Sequence, residues 1–91
     1  MYANKEIGVI NQIKEIGKIS KDNGILFHCD ASQAAGKLPI DVREINCFAL
    51  SISGHKIYGP KGIGVLFLNN SDMNKIEPIY KGGGQEQGIR P

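Results

Sequence analysis

At 91 residues the chain has the length of one small domain and is too short for two. Its 41% hydrophobic and 22% charged content is that of a globular protein, which excludes a disordered or membrane-embedded class. The formal net charge is +2 with the lysines spread along the chain, so no nucleic-acid stripe or polybasic membrane anchor is expected. Within residues 9–23, Ile10, Ile13, Ile16 and Ile19 recur at helical spacing, with lysines and a glutamate opposite. That pattern predicts a helix, and Gly24 reads as its terminator. The run "ILFHCD" (25–30) is apolar and closes on a carboxylate, which predicts a short buried strand. "ASQAAGK" (31–37) reads as a small-residue turn with a helical twist, and "LPIDVREIN" (38–46) as a loop at Pro39 followed by a short helix. "FALSIS" (48–53) predicts a second buried strand and "GVLFL" (64–68) a third. "NNSDMN" (69–74) is a polar turn, "IEPIY" (76–80) a fourth short strand, and "KGGGQEQG" (81–88) a flexible tail segment.

Strand, helix, strand, connection, strand is an α/β order, and it implies parallel pairing of the first two strands. The link between the second and third strands is only about ten residues with no helical period. That is short for a crossover, so the third strand is expected to run antiparallel. Neither a repeat nor a domain linker is visible, so residues 1–91 form a single unit. Cys29 and Cys47 are the only cysteines, without a CxxC or a His/Cys cluster at zinc spacing. Both lie in or beside apolar segments and read as buried thiols in a reducing compartment; no metal and no disulfide are expected. The opening "MYANKEIG" has neither signal-peptide nor transit-peptide character, and a cytoplasmic location is expected.

The chemistry concentrates in "SISGHKIYGPKGIG" (51–64), where Ser53, His55 and Lys56 follow the end of the second strand. In open α/β sheets ligands bind outside the carboxyl ends of parallel strands. Asp30 ends the first strand, so if the two strands are neighbours, or one strand apart, the two groups converge within ~5–10 Å. An acid facing a lysine across a small gap suits a flat cofactor between them. Taken singly, each residue has a plainer reading: Asp30 as a turn or cap residue, Ser53 and His55 as loop residues, Lys56 as a solvated charge. Their joint placement is what points to a site. "GPKGIG" is not a nucleotide-binding loop, because the Walker spacing fails and no Ser or Thr follows Lys61.

The runs "ANKEIG", "HCDASQAAGKLPIDV", "SISGHKIYGPKGIGVLFL" and "GGGQEQGIR" together resemble the cysteine desulfurases of the NifS/IscS group, within the class V aminotransferase family. The resemblance covers essentially the whole chain, with four motifs in order. It implies part of the large domain of a pyridoxal-phosphate-dependent transferase of fold type I: a mostly parallel α/β sheet with one antiparallel strand and flanking helices. Residues 1–91 would be the central part of that domain, with the small domain and the N-terminal part absent. On the same resemblance Lys56 matches the lysine that bonds to the cofactor aldehyde, and Asp30 the carboxylate that pairs with the ring nitrogen. Gln33 matches the residue that hydrogen-bonds the ring oxygen, Ser53 and His55 match phosphate donors, and Asn4 matches a further cofactor contact. The second asparagine of the family's usual pair is Lys5 here.

The implied activity takes sulfur from L-cysteine, giving L-alanine and an enzyme persulfide for iron–sulfur cluster assembly. The implied partners are iron–sulfur scaffold or sulfur-acceptor proteins and a second subunit in a homodimer, with no nucleic acid and no membrane. Neither Cys29 nor Cys47 matches the family's nucleophilic cysteine. Three other readings stand beside this one: a selenocysteine lyase, an aminotransferase of the same family, or a non-catalytic remnant acting as an interaction module.

Overall fold

Asn4 decides how the chain begins. In the computed structural model, which describes residues 1–91, its Oδ1 accepts from the backbone N–H of Glu6 at 2.9 Å and of Ile7 at 3.4 Å. Gly8 completes the turn at φ +69° and donates its N–H to the Asn4 carbonyl. The turn joins β1 (Ala3–Asn4) to β2 (Val9–Ile10) as an antiparallel hairpin, so the helix expected from Val9 starts later. Helix α1 runs Ile13–Asp22, because Val9 and Ile10 are taken by their partners Asn4 and Ala3. It ends at Asn23, and Gly24 follows at φ +66°, as its terminator reading requires. Of its isoleucines only Ile13 is buried; Gly17 is buried too, where α1 meets the short helix α2 (Val42–Ile45).

The first of the long-range strands, β3 (His28–Asp30), is shorter than the apolar run that announced it. Ile25 still donates its N–H to the Ser20 carbonyl, so the chain is leaving the helix there and cannot yet join a ladder. Small side chains then let residues 31–38 coil tightly: Ala34 and Ala35 donate to the Ala31 carbonyl, and Lys37 and Leu38 to that of Ala34. Asp41 caps α2 through its side chain, which accepts from Arg43 N–H at 2.9 Å. Asn46 closes the helix in the left-handed region at φ +53°.

Strand β4 (Ala49–Ser53) is central in the order β3-β4-β5, parallel to β3 and antiparallel to β5 (Gly64–Leu68). The parallel pair matches the expectation from element order, and the antiparallel pair the expectation from connection length. The core gathers Ile13 from α1, Ile45 from α2, Cys29 and Leu50 from the sheet, and Tyr2, Ala31, Ala34 and Cys47 from the connections. Beyond β4 the outer edge of β5 pairs with nothing, and Val65 and Leu66 on it are exposed.

The fourth strand expected at Ile76–Tyr80 does not form. A 3-10 turn occupies Asn70–Lys75, and the following residues are irregular. Pro78 has no N–H to donate to a ladder, and Ile79 and Tyr80 stand exposed with no facing strand. Within the glycine-rich segment, Gln85–Gly88 makes another 3-10 turn, with Glu86 and Gln87 both at positive φ.

Candidate functional site

Parallel pairing brings the carboxyl ends of β3 and β4 to the same edge of the sheet. Asp30 closes β3 and lies opposite Ser51; Ser53 closes β4 two residues further on. Side chains two apart on a strand share a face, so His28, Asp30, Ser51 and Ser53 line one face. With strands ~4.8 Å apart and a rise of ~3.3 Å per residue, the backbones at Asp30 and Ser53 are about 8 Å apart. That falls inside the expected range.

Asp30 Oδ1 accepts from the Ser32 backbone N–H at 2.9 Å. This bond, with help from the Ser32 hydroxyl, holds the Asp30 carboxyl below its ordinary value; burial opposes it, and the amino terminus and His28 add to it. A depressed carboxyl is a stabilising group above the unfolded pKa, and that contribution is lost as pH falls through the lower folded one. Carbon-detected NMR is therefore expected to give Asp30 a midpoint below the reference 3.8. Ser32→Ala should raise the midpoint only partway, since the backbone donor remains. A midpoint at or above the reference in the parent chain would contradict this bonding.

Lys56 sits in a 3-10 turn, Gly54–Lys56, that the backbone closes on itself. Gly54 donates its N–H to the Ile63 carbonyl at 2.9 Å, and its own carbonyl accepts from Ile57 at 3.0 Å and Gly59 at 2.9 Å. A Cβ at Gly54 would stand 2.7 Å from Ile63 Cγ2, so the turn needs glycine there. Tyr58 takes φ +65° within the same loop, a conformation rare outside glycine. Ser53 Oγ and His55 Nδ1 share a hydrogen bond of 3.0 Å, which sets the hydroxyl and the imidazole side by side. Lys56 is half-buried and takes part in none of the ion pairs, whereas Lys61 is exposed.

Gln33 lies half-buried in the coil after Asp30, its side-chain amide making no hydrogen bond within the chain. Asn4 reaches this end of the sheet through its hairpin, because Tyr2 N–H donates to the Asp30 carbonyl at 2.7 Å. Its Oδ1 is spent on the turn, leaving Nδ2 as the available donor. Sequence reasoning passed over two partners of the site. One is Ser32, beside Asp30; the other is the His28–Ser51 pair, joined at 3.2 Å between Nε2 and Oγ. The period-two alternation through Asp30 and Ser53 was the signal that could have found the second. A cleft of about 660 Å³ opens at the opposite ends of these strands, near Leu26, Phe27 and Phe48, and holds none of the site residues. The candidate residues lie at the carboxyl edge, not in that cleft.

Both thiols are free and buried, Cys29 at 1% and Cys47 at 2% exposure. Burial pushes each above the ordinary thiol value, which keeps them protonated and unreactive.

Comparison with known proteins gives a consistent result. The family model described as Aminotransferase class-V matches residues 1–90. A curated relative, the probable mitochondrial cysteine desulfurase of Dictyostelium discoideum, is 62% identical over 90 residues, covering 99% of this chain and 20% of that protein. Among solved structures, SspA in complex with cysteine superposes with a TM-score of 0.90 at 45% identity, over 98% of this chain and 26% of that one. A NifS-like protein from Rickettsia africae gives 0.88 at 40% identity, over 99% of this chain and 24% of that one. The chain thus spans about a fifth of the length of the curated relatives it matches.

Proposed function

The chain belongs to the class-V aminotransferase family, and on that premise we propose that it forms the cofactor-holding centre of a cysteine desulfurase. The reaction is removal of sulfur from L-cysteine, giving L-alanine and sulfur held as an enzyme persulfide for iron–sulfur cluster assembly. The observation that carries the reading is the gathering of Asp30, the Ser53–His55 pair and half-buried Lys56 at one sheet edge, none of them in an ion pair.

That donor set fits pyridoxal phosphate. Asp30 is an ionised acceptor with no cation of its own, suited to keep a proton on a ring nitrogen. Gln33 has a free amide for a ring oxygen, and Asn4 Nδ2 a free donor. The hydrogen-bonded Ser53–His55 pair keeps a donor for a phosphate oxygen in either tautomer, the Ser53 hydroxyl or the His55 Nε2–H. Lys56 Nζ, half-buried and in no ion pair, is the amine that would hold the aldehyde carbon. When bound, the cofactor supplies an electron sink for the bonds around the substrate α-carbon. With the cofactor bound, Lys56 Nζ would be the group that moves a proton at the substrate α-carbon, and the Asp30 carboxylate would hold the proton on the ring nitrogen.

Neither thiol of this chain takes the sulfur, since both are buried and protonated. The same reading carries a homodimer, delivery to scaffold or acceptor proteins, and a reducing cytoplasmic setting, which the two unpaired thiols support.

The intact protein with pyridoxal phosphate is expected to release alanine from L-cysteine and to pass on one sulfur per turnover. Cys29→Ala and Cys47→Ala together should leave that rate unchanged, whereas the 91 residues expressed alone should not exceed free pyridoxal phosphate. Amino-group transfer to a keto acid without sulfur release would make the protein an aminotransferase. Selective release from selenocysteine would make it a lyase.

A further inference from the structure

We infer that Tyr2 is a positioning residue for this site, clamping both ends of the segment that carries Asp30 and Gln33; the inference rests on the cofactor reading above. Tyr2 is 8% exposed and is the only aromatic among the buried residues. Its backbone N–H donates to the Asp30 carbonyl at 2.7 Å, at the start of the segment. Its hydroxyl donates to the Pro39 carbonyl at 3.3 Å, at the other end and 37 residues away along the chain. Its own carbonyl accepts from Asn11 at 2.9 Å, so the hairpin holding Asn4 is fastened to the same residue.

What lies between the two clamped carbonyls explains why the clamp matters. The buried residues there are Ala31, Ala34 and Ala35. A methyl group fills space but interlocks weakly with its neighbours, so the partly buried Leu38 is the one larger side chain by which this coil grips the core. Asp30 and Gln33 are then aimed by the ends of the coil. Ala31 N–H, bonded to the Ser51 carbonyl at 2.9 Å, secures the sheet side; the Tyr2 ring and hydroxyl secure the far side. Asn4, Asp30 and Gln33, three of the six proposed cofactor contacts, are thus tied to one residue, through its two backbone bonds and its hydroxyl.

The test separates this role from that of an ordinary core aromatic. Tyr2→Phe keeps the ring and both backbone bonds and removes only the bond to Pro39. In the intact protein reconstituted with pyridoxal phosphate, Tyr2→Phe is expected to shift the visible circular dichroism band of the bound cofactor. It should also weaken cofactor affinity about two- to tenfold, the range for losing one hydrogen bond. Ile13→Val trims a neighbouring core residue that is 3% exposed and should lower the melting temperature without moving that band. A Tyr2→Phe protein with the parent's band and affinity overturns the inference, as does an Ile13→Val protein that reproduces the Tyr2→Phe change. If the unmodified protein develops no cofactor band, the cofactor reading itself falls, a result distinguishable because Tyr2 is then intact.

Discussion

Lys56→Ala is expected to abolish covalent capture of pyridoxal phosphate and to cut turnover by about a hundredfold or more, the scale on which a positioned proton-transfer group acts. Borohydride reduction followed by peptide mapping should place the pyridoxyl label on Lys56 and nowhere else. The expectation rests on location. The chain's other lysines are exposed, and Lys56 is the one half-buried. It is held in a turn that three backbone bonds around Gly54 and a crowded Cβ position keep closed. Asp30 and the Ser53–His55 pair stand at the same sheet edge, so a cofactor held by them would have Lys56 as its nearby amine. Lys61→Ala, on the exposed side of the same loop, should change neither label nor rate. Label spread over Lys37, Lys56 and Lys61 would mean ordinary surface amines and would remove the site.

The second large effect concerns stability. Gly17→Ala places a methyl carbon 1.8 Å from the Ile45 carbonyl oxygen and 2.9 Å from its carbon. Both are backbone atoms, so no side chain can swing aside. Helix α1 must lift off α2, and Ile45, which is fully buried, loses its cover. Helix propensity alone favours alanine over glycine by about 1 kcal/mol. Overpacking a tight contact costs about 1–3 kcal/mol and more when backbone must move. Against a backbone carbonyl the second effect wins, and we expect a net loss of about 2 kcal/mol or more in urea unfolding. Gly24→Ala is the control. It has open space around its Cβ and strain only from φ +66°, so its loss should be smaller. A stabilised Gly17→Ala protein would mean that the two helices do not cross there.

The contrast between these two residues bears on what a sequence can disclose. Asp30, Ser53 and Lys56 were legible because each lies at, or just past, the end of an apolar strand, and parallel strands put such ends together by topology. The antiparallel course of β5 was legible from the length of one connection. The start of α1 was not, since Val9 and Ile10 satisfy the helical period equally well. Their pairing with Ala3 and Asn4 depends on a turn closed by the Asn4 side chain. Ile76–Tyr80 has the composition of a strand, but composition does not supply a neighbour to pair with. Gly17 lay inside a helical pattern, where nothing local marks a contact 28 residues away. Tyr2 was silent for the same reason, because both of its acceptors are remote in the chain.

The unpaired rim of β5 has a consequence for anyone handling this chain. A strand exposing one row of N–H and C=O groups, with Val65 and Leu66 uncovered beside it, is a template on which another strand can dock. Lys61 and Gly62 lie just before the strand, but within Gly64–Leu68 there is no charge and no proline to discourage that docking. Self-association of the isolated 91 residues through this rim is therefore expected to rise with protein concentration. Any partner that covers the rim acts as a solubiliser, whatever else it does.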